Sequence, residues 1–144
     1  MLSSPSMNNR LITIGCALLL LAPVCSAAEE GGPLAKQMEA FDDAYKAFRK
    51  EKDPAKGAGF ARDAQTAVLK ALAETPEILS KMPDDATRQK AAAEYRKMLG
   101  RVYVTLCEVE EAFLAGETDK VATLVDSLKE MKKAGHEKFM EEEE

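Results

Sequence analysis

The chain of 144 residues holds one histidine, His136, together with seven methionines and three cysteines. A single imidazole excludes, within one chain, the zinc and di-iron sites that need two or more. No Glu-x-x-His element is present, and no Ser/His/Asp or Cys/His pairing is persuasive, so the sequence does not read as an enzyme. What remains is a donor pair of thioether sulfur and neutral imidazole. On opposite sides of a haem iron such a pair closes both axial positions, raises the reduction potential and suits electron transfer more than oxygen chemistry. Met38 lies 98 residues before His136, so only the arrangement of the intervening elements can bring the two together.

Those elements read as four helices. Leu34, Met38, Phe41, Tyr45 and Phe48 alternate steps of four and three, one stripe of an amphipathic helix. Asp53-Pro54 supplies an N-cap and a proline at the first helical position of a second helix, which runs to about Glu74. Its inward residues are Phe60, Ala64, Ala67, Val68, Ala71 and Leu72, and Gly57 and Gly59 weaken its start. A connector over residues 75–83 carries two prolines, and Asp84 or Asp85 then caps a longer third helix. Its seam is Tyr95, Leu99, Val102, Leu106, Val109 and Phe113. Gly116 ends that helix, Thr118 begins the fourth, and so short a turn forces the two to run antiparallel. The fourth helix presents Val121, Leu124, Val125, Leu128, Met131 and Phe139, then fades into an acidic tail, Glu141 to Glu144. No segment shows the alternation of a strand, and phosphate-binding glycine loops and internal repeats are absent. The expected fold is all-α, an up-down-up-down antiparallel four-helix bundle.

In that topology the start of the first helix and the finish of the fourth share one end of the bundle. Met38 is near the start and His136 near the finish, and periodicity turns both inward. His136 follows Val125 by eleven residues, about three turns at 3.6 residues each. Gly135 beside it lets a large planar group approach the backbone. Apolar walls are expected from Leu69, Leu72, Tyr95, Leu99 and the Ile78-Leu79 connector, with Lys132, Lys133 and Lys138 near the outer edge to meet haem propionates. With no Cys-x-x-Cys-His, a haem would be noncovalent and b-type. Spacing alone leaves plainer readings open: a methionine at helical spacing is usually core, and a histidine near a helix C-terminus is often only a cation favoured by the dipole.

Composition narrows the setting. The chain is 46% hydrophobic and 31% charged, which fits one small globular domain rather than a disordered segment. Residues 1–27 carry one charge, Arg10, then an apolar run and small residues before the polar stretch: a secretory signal peptide cleaved near Ala27. The run is short for a membrane anchor and Pro23 interrupts it, so a periplasmic domain over residues 28–144 with no membrane attachment is expected. Loss of Arg10 moves the net charge from -5 to -6. That balance disfavours nucleic acid and favours basic protein partners. Loss of Cys16 and Cys25 leaves Cys107 alone, read as a buried small apolar residue, with no disulfide to brace the fold.

Three stretches carry a family resemblance: Leu34-Ala-Lys-Gln-Met38-Glu-Ala-Phe-Asp-Asp-Ala-Tyr45, Ala73-Glu-Thr-Pro76, and Lys129-Glu-Met-Lys-Lys-Ala-Gly-His136-Glu-Lys-Phe139. They resemble the soluble periplasmic cytochrome b-562 family, over almost all of the mature chain. The resemblance implies a left-handed four-helix bundle holding one haem b noncovalently, with Met38 and His136 matching the axial ligands. Tyr95 and Leu99 match haem-packing positions where the family often has Phe. Lys132 and Met140 stand four residues either side of His136, where some members carry Arg, and Gly135 stands where a bulkier residue is common. The leading expectation is an exported one-electron carrier that meets basic redox proteins. The alternative is a haem-free helical bundle that acts as a binding module of the periplasm.

Overall fold

The computed structural model describes residues 31–140; the expected signal peptide over residues 1–27 and the acidic tail at residues 141–144 lie outside the described residues. Five helices follow one another: α1 (Pro33–Lys50), α2 (Pro54–Leu72), α3 (Glu77–Ser80), α4 (Asp85–Leu114) and α5 (Thr118–Phe139). The four long ones form the up-down-up-down bundle, and no strand occurs among the described residues.

Local chemistry explains the boundaries. Asp53 Oδ1 accepts from the Lys56 backbone N–H at 2.9 Å, and Pro54 opens α2. Asp84 Oδ1 accepts from the Thr87 N–H at 2.8 Å, which holds its carboxyl below the usual range and starts α4. At the far end of α4, Gly116 takes a φ of 70°. Its N–H donates to the Phe113 carbonyl at 3.0 Å and that of Glu117 donates to Ala112 at 2.9 Å, the paired bonds of a Schellman motif. Only glycine adopts that left-handed conformation without strain, and the turn sends α5 back along α4.

The inward stripes then pack. Phe48, Leu106, Val109 and Leu128 are almost fully buried, each contributing about 1.5–3 kcal/mol of hydrophobic stabilisation. The inner face of α2 is Gly57, Ala58, Ala61, Ala64, Ala67 and Ala71, all buried. So little side-chain volume lets α1 and α4 pack closely along α2. A polar clasp finishes the α2/α4 seam: Arg62 Nη1 lies 2.9 Å from Glu110 Oε1, and Gln65 Nε2 donates to Glu110 Oε2 at 2.7 Å. The backbones of α1 and α5 approach far less closely. Long side chains join them instead, the Tyr45 hydroxyl donating to the Val125 carbonyl at 3.5 Å and Lys132 Nζ lying 2.6 Å from Asp42 Oδ1.

Several details differ from the sequence expectation. Gly57 is a packing requirement as well as a weak helix former, because a Cβ there would overlap the Phe113 ring. The second helix ends at Leu72 rather than near Glu74, since Pro76 holds the chain extended. The two-proline connector contains α3, whose Leu79 is 1% exposed and which packs on α4. Cys107 is half-buried rather than buried. Among the described residues no helix is long and apolar enough to cross a membrane.

Candidate functional site

The apolar stripes are sealed toward the Gly116 turn and unsealed at the opposite end. Leu34, Met38, Leu99, Val102, Met131 and Phe139 all face inward by periodicity, yet each is only half-buried. A cavity of about 660 Å³ opens among them. That volume falls within the roughly 300–1,000 Å³ typical of small-molecule and cofactor sites.

Both candidate axial residues line it. Met38 contributes from the second turn of α1, and His136 from the last turn of α5. They reach one cavity because α1 and α5 run in opposite directions, so the start of one meets the finish of the other. The imidazole is exposed at this end of the bundle, while the thioether is half-buried. Tyr95 and Leu99 line the α4 wall. The Tyr95 hydroxyl donates to the Ala71 carbonyl at 3.0 Å and its ring meets Phe139 edge-on at 5.4 Å, pinning α4 to both α2 and α5. Burial, with the nearby Glu74 carboxylate, pushes the Tyr95 phenol up to about 12.

Other expected contacts are different. Leu72 is half-buried and does not line the cavity, and Leu69 is 52% exposed. Val68 is the α2 residue that faces in; Leu69 is turned about 100° from it, and α2 stops at Leu72, so Glu74 to Glu77 of the connector supply that wall. Ile78 and Leu79 are likewise absent from the lining. Lys132 does line the cavity, but its amine is held by Asp42 rather than left for an anion. Lys138 lies 2.7 Å from Glu94, and that hydrogen bond holds the Glu94 carboxyl below its usual range. Lys133 is exposed outside the lining. Gly135 lines the cavity, and a Cβ there would reach 3.6 Å from the Met98 methyl, so its bare backbone adds open space.

Sequence reasoning passed over Met98 and Lys46, which also line the site, and noted Met140 only as a departure from the family's Arg, not as a lining residue. Met98 stands three residues after Tyr95 and Met140 four after His136, spacings that put each on the same helix face as a residue already singled out. Among the described residues no cluster of three or more His, Cys, Asp or Glu is placed to hold a metal ion.

No curated protein matches the chain. A sequence model described as cytochrome b562 matches residues 33–140, from the first residue of α1 to just past the last of α5. The chain belongs to the cytochrome b562 family. Membership implies a haem cofactor and an electron carrier, a family not typically enzymatic. The residues of this chain fit such a group: half-buried apolar walls leave room for a flat hydrophobic macrocycle, and a thioether from α1 and an imidazole from α5 line the same cavity.

Proposed function

We propose that this chain is an exported, periplasmic protein that binds one haem b noncovalently between Met38 and His136 and carries one electron. The observation that supports it is the coincidence of the only histidine with a methionine of the opposed helix on one unsealed apolar cavity. When bound, a haem would supply a one-electron couple at iron, and Met38 and His136 are the residues that would hold it. The protein's part is to hold Met38 and His136 on fixed helices, which would keep their movement small. Tyr95 braces the walls through its hydroxyl and its ring, and Leu99, Val102 and Met131 keep water from the macrocycle. Lys132 can serve a propionate only by exchanging Asp42, which makes the α1/α5 tie part of the binding equilibrium. The net charge, -5 for the whole chain and -6 once Arg10 leaves with the signal peptide, favours association with basic redox proteins.

The test is visible spectroscopy of the haem-free mature protein titrated with haem, alongside its melting temperature. A Soret band should grow to one equivalent in the wild type and fail in Met38→Ala, His136→Ala. Free haem at about one hundred times Kd should stabilise the fold by about 2.7 kcal/mol. No Soret band, or the same band in the double variant, overturns the reading. An unchanged melting temperature would favour the haem-free binding module instead.

A further inference from the structure

Methionine is unevenly placed in this molecule. Five methionines fall among the described residues, and Met38, Met98, Met131 and Met140 line the cavity that His136 also lines; Met82 does not. None of the four is packed as core: three are half-buried and Met140 is 58% exposed. A methionine used only to fill space would be sealed among its neighbours, as Leu106 and Leu128 are. One thioether is already oriented by a polar group, the Thr105 hydroxyl lying 3.8 Å from the Met131 sulfur.

Two of these thioethers sit on helix ends at the imidazole's end of the bundle. Met140 follows His136 by one helical turn, and its N–H donates to the His136 carbonyl at 3.0 Å, so it caps α5 on the histidine's side. Met38 lines the same cavity from the second turn of α1. Thioether sulfur with one neutral imidazole is a soft, charge-free donor set, which selects monovalent copper over zinc or the hard divalent cations. The lining carries Glu39, Asp42, Asp43, Glu74 and Glu77 against Lys46 and Lys132, with Asp42 paired to Lys132 and Asp43 to Lys46, so a net negative margin remains to attract a cation to the opening.

We propose that the haem-free protein binds one Cu(I) ion through His136, Met38 and Met140 at the mouth of this cavity. Haem and Cu(I) would draw on the same two side chains, so the two forms exclude each other. Met140 is the residue that belongs to the copper site alone.

The experiment is an anaerobic titration of haem-free mature protein with Cu(I) against a coloured Cu(I) chelator, and it stands apart from the haem reading because no haem is present. One equivalent should bind, and Met38→Leu and Met140→Leu, near-isosteric changes, should each weaken binding by at least about tenfold. Met82→Leu and Cys107→Ser should bind as the wild type does. In parallel, Ag(I), a redox-inert mimic, is added to the wild type while the methionine methyl resonances are followed; those of Met38 and Met140 should shift and that of Met82 should not. Loss of binding in Cys107→Ser would assign the ion to the lone thiol and overturn the proposal. Undiminished binding in Met140→Leu, or Ag(I) shifts confined to other methionines, would overturn it equally.

Discussion

Gly57→Ala and Gly59→Ala should have opposite effects although they lie two residues apart in one helix. In an open helix interior, replacing glycine by alanine gains up to about 1 kcal/mol by restricting the unfolded backbone. At Gly59 the nearest atom to an added Cβ is the Arg62 guanidinium at 3.8 Å, ordinary contact, so that gain should be kept. At Gly57 the Cβ would collide with three atoms of the Phe113 ring, which is only 6% exposed on the last turn of α4. The ring must swing away or α2 must lift, and such overpacking costs about 1–3 kcal/mol. The two variants should therefore differ by about 1–3 kcal/mol, with Gly59→Ala above the wild type and Gly57→Ala at or below it. At about 4 °C per kcal/mol for a domain of this size, the melting temperatures should differ by roughly 4–12 °C. Thermal and urea unfolding of the haem-free protein, followed by circular dichroism at the helix band, reads both numbers. If Gly57→Ala is as stable as Gly59→Ala, the close contact between α2 and the end of α4 is wrong, and with it the account of why the bundle is tight on that side.

Two further outcomes follow from titratable groups. The unfolded Tyr95 phenol ionises near 10.0 and the folded one near 12, so the folded state holds its proton more tightly; its contribution is complete below pH 10 and is lost as pH rises toward 12. Tyr95→Phe should flatten that alkaline decline relative to the wild type while costing about 1 kcal/mol at neutral pH for the bond to Ala71, and an identical alkaline slope in the two proteins would refute the assignment. Burial alone would raise the Glu110 carboxyl, but hydrogen bonds from Arg62 and Gln65 and the Arg62 charge more than offset it and hold it below its usual range. Its contribution is therefore present above the ordinary glutamate pKa and lost as pH falls below it. Glu110→Ala should lower neutral-pH stability by about 1 kcal/mol and weaken the acid dependence; a variant as acid-sensitive as the wild type would show the clasp to be unimportant.

Much of the fold is local, and so was legible. Asp53-Pro54, Asp84 and Gly116 act within one helical turn of themselves, and the bonds they make are those their residue types require. The stripes of α1, α4 and α5 read correctly because 3.6 residues per turn is a property of the backbone and needs no partner. The short helix α3 escaped notice because four residues between two prolines carry too little periodicity to register, and its stability comes from burying Leu79. Leu72 was misplaced for a related reason: facing inward on a helix does not put a residue on a cavity wall when the helix ends there and another segment crosses the opening.

By itself, then, the sequence determined four amphipathic helices, their direction through short turns, and the fact that one imidazole and one thioether belong to the same end of the bundle. Only tertiary structure decided how far those helices stand apart. The Gly/Ala face of α2 draws α1 and α4 inward, whereas α1 and α5 meet through Tyr45, Asp42 and Lys132, which leaves Met38 and His136 on an open cavity instead of a sealed core. Whether an inward residue is buried depends on the volume of the side chain that opposes it, and that neighbour is tens of residues away along the chain.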